Sequence, residues 1–316
     1  MHDLFLSYDA LHEWLFANAI EPLLYQLGLM AMAEDAFDGT EWFLLGLFQL
    51  LIIVLIFRPW EKWNPAEKQS TFAPPMLADY FYTLIHRLGL FHGFFFLSFS
   101  GFFFYLSSHL HDFRFQRFNV ETWWPDVTAN PWVSFLIYLV LLDLLDYFYH
   151  RASHRFNWWW QLHALHHSQT VMTAWSDDRN HVVDDLMRAA VFSLFALWIG
   201  VPPGQFIYLV VLSHLIQSWQ HANLRIDLGW AKYLLISPMY HRYHHAVGFG
   251  HEALGKPGVL GGCNFGVLFP WWDMLFKTAV FSKTIYPTGV RDLQVSNQVL
   301  VQQWQGLRHS FLAFLK

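Results

Sequence analysis

The sequence predicts an all-α protein, a polytopic membrane helix bundle with a cytoplasmic, histidine-rich, metal-binding cap. Three observations predict it. Hydrophobic residues make up 55% of the 316 residues and charged residues only 14%, against about 25% charged in soluble domains. The apolar residues gather in stretches close to the ~20 residues needed to cross a bilayer core. The 19 histidines concentrate between those stretches, although polar groups beside lipid are costly unless they serve a purpose.

Taken in order, the N-terminus Met1-His2-Asp3-Leu4 lacks the positive segment of a secretory signal, so the membrane segments themselves direct insertion. The first span runs from Glu41 to Phe57, with Gln49 as its only strongly polar residue after Phe43, and stops at the basic and aromatic stretch Arg58-Pro59-Trp60-Glu61-Lys62-Trp63. A second, Phe-rich span covers Leu88 to Leu106, and a third Pro131 to Tyr149. The apolar region Leu186 to Gln220 is broken by Val201-Pro202-Pro203-Gly204. Prolines end helices and glycine permits the turn, so this region reads as a helical hairpin that returns to its starting side. At the C-terminus, Val295, Val299, Leu300, Trp304, Leu307, Phe311 and Leu315 recur at helical intervals within Asp292–Lys316, as in an amphipathic helix lying on a membrane surface. Residues 1–130 thus form an N-terminal membrane region with about two transmembrane helices, residues 131–278 hold the histidine clusters, and residues 279–316 form an amphipathic tail.

Orientation follows from Lys and Arg. Residues 1–42 contain neither, while residues 58–87 and 150–188 contain four each and residues 221–316 contain nine. Positive-inside logic places the N-terminus outside and the three richer segments in the cytoplasm, which brings every histidine cluster to one face. The net charge of −5 and the lack of a basic patch argue against a nucleic-acid partner. The lone cysteine, Cys263, allows no internal disulfide and no iron–sulfur or Cys-rich zinc site.

The clusters are His150-Arg151-Ala152-Ser153-His154, His163-Ala164-Leu165-His166-His167 and His241-Arg242-Tyr243-His244-His245, with His181 and His221 between them. Helical residues three or four apart share a face, so His150 and His154 can point to one place. In each His-x-x-His-His triplet the adjacent pair diverges by about 100° around the helix, so it can serve two metals. Ten imidazoles suit two ions with about five ligands each and exceed the four that zinc takes. Imidazole suits Zn, Cu, Fe and Ni alike. Asp146, four before His150, and Asp178 and Asp185, flanking His181, are placed to accept free ring N–H groups and fix tautomers. Two other readings use the same histidines. A membrane zinc hydrolase would want a glutamate base between ligands, and none is evident. A non-catalytic metal- or haem-binding membrane protein would want His or Met along its spans, which are Phe- and Leu-rich instead.

The ordered motifs resemble those of the fatty acid hydroxylase/sterol desaturase superfamily. The likeness extends to Asp146-Tyr147-Phe148-Tyr149 before the first cluster, Trp160-Gln161-Leu162 before the second, Ser237-Pro238-Met239-Tyr240 before the third, and Asn264-Phe265-Gly266 with Trp272-Asp273 and Phe276 after it. It covers residues 135–278. The resemblance implies a fatty acid hydroxylase-like catalytic domain with a non-haem di-iron site. There O2, as co-substrate, would hydroxylate, desaturate or oxidatively demethylate a lipid. It implies His150, His154, His163, His166, His167, His241, His244 and His245 as iron ligands. His181 and His221 stand where the family often has further ligands, although Val182 follows His181 where the family commonly has proline. The chain shows no flavin, haem or NAD fingerprint and no fused cytochrome b5 segment. The expected partners are therefore a lipid substrate, the membrane and an external electron donor of ferredoxin or cytochrome b5 type with its reductase.

Overall fold

The computed structural model describes residues 2–69, 74–91, 93–94, 101, 105, 118–253 and 255–316. The expected span Leu88–Leu106 lies largely outside the described residues.

The N-terminal segment forms helices α1 (His2–Leu15), α2 (Glu21–Leu27) and α3 (Ala33–Ile52), the last running through a π turn into α4 (Arg58–Trp63). Helix α5 is Pro74–Arg87. At the crossing of α3 and α5, a Cβ on Gly46 would fall 1.4 Å from the Arg87 carbonyl oxygen. Only glycine lets the two backbones approach this closely. Helix α6 (Pro131–Ser153) starts where the Asn130 side chain accepts from the Trp132 amide and Pro131 takes the first turn. Among the described residues, two helical segments, Met30–Trp63 and Pro131–Ser153, are long and apolar enough to cross a membrane. Their outward side chains include Phe48, Leu51, Leu55 and Leu136, all exposed in the isolated chain.

The predicted hairpin is present as α8 (Val182–Ile199) and α9 (Pro203–His221). Gly200 caps α8 at φ +79°, a left-handed conformation that glycine adopts freely, and Pro203 opens α9. The hairpin packs on α6 through Tyr138, Leu139, Leu142, Ile199 and Leu209. Helix α7 (Asn157–His167) turns back from the end of α6, and α10 (Pro238–His244) follows α9. Glu252–Ala253 and Lys256–Leu260 pair as a short antiparallel hairpin, a small departure from the all-helical expectation. The closing segment, with α11 (Trp271–Leu275), is tied to α6 by Asp143, which accepts from the Leu268 and Phe269 amides and the Trp272 indole.

The C-terminal stretch contains helix α12 (Val299–Phe314). It lies along α7 with Gln302, Gly306 and Ser310 buried. A Cβ on Gly306 would meet the His181 ring at 2.6 Å, and Gln302 accepts from the Tyr82 hydroxyl. Its apolar residues Leu300, Trp304, Phe311 and Leu315 face outward, Leu300 being 83% exposed. The periodicity correctly marks a two-faced helix, and the protein is held by its polar face.

Candidate metal centre

Four helix ends converge on one buried chamber. Helix α6 brings His150, with His154 just beyond it; α7 brings His163, His166 and His167. Helix α9 brings its last residue, His221, and α10 brings His241 and His244, with His245 at its C-cap. All nine are buried.

Eight of them form two quartets. One is His150, His154, His167 and His244; the other is His166, His221, His241 and His245, each with one ring nitrogen per residue lying within 4.8 Å of the others. Both adjacent pairs divide between the quartets, His166 from His167 and His244 from His245. This is the divergence that helical geometry imposes on neighbouring residues.

Hydrogen bonds fix several tautomers. A carbonyl oxygen only accepts, so a ring nitrogen bonded to one must carry the proton. His150 donates from Nδ1 to the Phe265 carbonyl at 2.9 Å, and His244 from Nδ1 to that of Cys263 at 2.7 Å. Their Nε2 lone pairs then face each other at 2.9 Å. In the second quartet His221 donates from Nδ1 to the Gln217 carbonyl, and its Nε2 stands 3.2 Å from that of His166 and 3.1 Å from that of His241. A shared proton is disfavoured. Burial, then the neighbouring imidazoles, hold His166, His167, His241 and His245 well below the usual histidine range. Burial pushes His244 down to about 3. Opposed lone pairs on neutral rings are what a bound cation relieves. With metal–nitrogen bonds of about 2.1 Å, two ligands at a right angle sit ~3.0 Å apart, close to the 2.9–3.2 Å separations of these nitrogens. The donor set fits two metal ions.

His163 lies between the quartets, its ring 5.1 Å from His150 and 5.3 Å from His166. Its Nδ1 is 3.1 Å from Asp184, and its buried Nε2 has no hydrogen-bond partner among the described residues. His181 is placed elsewhere. Its Nδ1 accepts from the Val183 amide as the N-cap of α8, and its Nε2 is 2.7 Å from the Gln303 carbonyl. Both nitrogens are engaged, because the loop before α8 carries the residue past the chamber toward α12.

The three expected carboxylates also have other partners. Asp146 is paired with Arg188, which reaches across from α8. Asp178 is paired with Arg87 at 2.9 Å, and Asp185 is 3.2 Å from His86. The groups that do touch the histidines come from farther along the chain. Asp184, adjacent to one of the expected acids, accepts from the Tyr149 hydroxyl (2.7 Å) and the Trp159 indole (2.8 Å) and faces His163. Asp177 Oδ1 lies 3.5 Å from His221 Nδ1. His251 stacks on Trp160 beside His167.

Asp184 makes a direct test. In Asp184→Asn the amide can still accept from Tyr149 and Trp159, but its NH2 then opposes the His163 Nδ1 proton. The proton moves to Nε2, and the lone pair facing the chamber is lost. Metal affinity should fall by about 10–100-fold, the range for partners of this kind, with helicity unchanged. Unchanged affinity in a competition titration would remove the role assigned to Asp184.

A cavity of about 700 Å³ opens from the chamber, touching His150, His163, His166, His221 and His241 and running between α6, α8 and α9.

Residues 135–278 match the fatty acid hydroxylase family model. Among curated relatives, ornithine lipid hydroxylase of Rhizobium tropici is 26% identical over 49% of this chain and 44% of its own length. Alkylglycerol monooxygenase of Danio rerio is 30% identical over 47% of the chain and 31% of its length. A Delta(7)-sterol 5(6)-desaturase of Gibberella zeae is 25% identical over 45% and 40%. In each case the match spans less than half of the relative. No solved structure matches the chain.

Proposed function

Because the chain belongs, through residues 135–278, to the fatty acid hydroxylase/sterol desaturase superfamily, we propose that it is a membrane enzyme that oxidises a lipid C–H bond with O2 at a pair of iron ions. The observation that carries this reading is the division of the two histidine doublets between two quartets. His150, His154, His167 and His244 would hold one ion, and His166, His221, His241 and His245 the other, with His163 as a further ligand between them. Bound there, the iron pair would supply the activation of O2 and the oxidising power.

The chain's own groups do the rest. The Phe265, Cys263 and Gln217 carbonyls keep the ring protons on Nδ1 and so hold Nε2 free to ligate. Burial keeps the rings neutral and excludes bulk water. The cavity between α6, α8 and α9 receives the lipid. Hydroxylation and desaturation differ only in the fate of the oxidised carbon, and the relatives' names include both. Electrons come from a separate donor protein. The Lys/Arg distribution along the sequence supports a cytoplasmic position for the metal chamber.

The test is metal content and oxygen dependence. Protein made in iron-replete, anaerobic conditions should carry two irons per chain, and His167→Ala and His245→Ala should each lower that content and abolish O2-dependent lipid oxidation. A protein that holds a single zinc and no iron would end the proposal.

A further inference from the structure

We propose, resting on the oxidation reading above, that the lipid is seated with its polar head beside the metals and its alkyl tail running away along α9 to the N-terminal segment. Oxidation then falls within a few bonds of the head. Three walls of the cavity carry the argument, because each changes from mainly polar to mainly apolar with distance from the histidines. On α9, counting back from His221, Gln217, His214 and Ser213 line the cavity first, then Val210, Ile207 and Phe206. On α8, Asp184, Asp185 and Arg188 come first, then Ala189 and Phe192, with the Ser193 hydroxyl the one polar group beyond them. On α6, Asp146 precedes Leu142 and Leu139. The helices run in different directions, so no single amphipathic pattern produces the shared boundary.

The polar end offers a donor. Arg188 gives Nε and Nη2 to Asp146 and its side chain remains 30% exposed. Its Cζ lies 5.0 Å from the centre of the Phe192 ring, at the polar–apolar boundary. Nη1 makes no hydrogen bond among the described residues, which suits a head rich in acceptors, such as an ester, glycerol or phosphate.

The apolar end sets the length. From His221 to Phe206 the lining of α9 spans roughly 22 Å at 1.5 Å per residue, polar in its first part and apolar from Val210 onward, which is room for a head and an alkyl chain together and more than a compact ring system fills. The far end is lined by Leu24, Leu29, Met32 and Trp42, all outside the family-matched region. Asp35 and Asp38 stand exposed at that rim. This segment therefore contacts the tail terminus and limits its length.

Two photoactivatable alkyl glycerol probes test the seating on the full-length protein, one with a diazirine on the terminal carbon and one with it beside the glycerol. The expected result is terminal-carbon labelling within residues 24–42 and head-side labelling around Arg188. The reverse pattern, or labelling confined to the outer faces of α3 and α6, overturns the proposal. Product mapping across a chain-length series gives an independent reading, because the oxidised carbon should keep its position counted from the head. A position fixed from the methyl end overturns it. Labelling needs no turnover. The expected labels without any O2-dependent product would sink the oxidation reading while the seating stands. Reversed labels with product formation would sink only the seating.

Discussion

Asp273→Ala is expected to empty one of the two proposed metal sites, that of His150, His154, His167 and His244, although Asp273 bonds to none of these rings. The carboxylate is fully buried. Its Oδ1 accepts from the Phe265 amide (2.9 Å) and the Thr278 hydroxyl (2.6 Å), and its Oδ2 from the Gly266 amide (2.7 Å) and the Tyr240 hydroxyl (3.0 Å). These bonds set the turn in which Asn264 sits at φ +59° and which presents the Cys263 and Phe265 carbonyls to His244 and His150. A Cβ on Gly266 would lie 2.8 Å from Asp273 Oδ2, so the turn is built against this side chain. Alanine leaves buried donors unpaired, at about 1–3 kcal/mol each for those that find no water. A total of about 3–5 kcal/mol is expected, and the two carbonyls lose their register. Both His150 and His244 are then free to change tautomer. Iron content should fall toward half, with the second quartet retained. Asp273→Asn should be milder, because one oxygen still accepts. An alanine variant that keeps full iron content and the parental melting temperature would sink the argument.

The sequence made the histidines legible, and much less of what positions them. Spacings of three and four on a helix and adjacency in a doublet are local geometry, so the splitting of His166 from His167 follows from the chain alone. The hairpin break at Val201-Pro202-Pro203 is equally local. The partners of the rings are not. His150 is 115 residues from the carbonyl that orients it. Asp146, one helical turn away, looked better placed, but Arg188 from the opposite helix holds it. The spacing to His181 points to Asp178 and Asp185. The loop instead turns His181 into the cap of α8, so that Asp184 in the first turn of that helix faces His163 and Asp177 in the loop faces His221. Residues 1–130 carried no motif, yet they supply Arg87, which joins the loop behind the second quartet to three helices.

Arg87→Met will destabilise the protein by about 3–5 kcal/mol although Arg87 touches none of the clustered histidines. Arg87 is 2% exposed. Its Nε donates to Asp178 (2.9 Å), Nη2 to Asp177 (2.7 Å) and Ser218 (2.9 Å), and Nη1 to Gln49 (3.1 Å). One guanidinium thus ties α3, α5, α9 and the loop that backs His221. Methionine has similar length but leaves two adjacent carboxylates buried without a countercharge, a change that costs on the order of 3–5 kcal/mol. The cost should depend on pH in a definite sense. Burial, then the Asp178 carboxylate, already raise Asp177 above the usual carboxylate range, with Arg87 opposing them. Without Arg87 the shift grows. A carboxyl whose folded pKa is raised favours the folded state while protonated and loses that contribution as pH rises through the raised value. The stability gap between Arg87→Met and the parent should therefore widen from mildly acidic to alkaline pH. Arg87→Met combined with Asp177→Asn should recover part of the loss, since the second change removes one stranded charge. A gap that is small, or that does not vary with pH between these limits, would show that the carboxylates find other partners and that Arg87 is not what holds the loop behind His221.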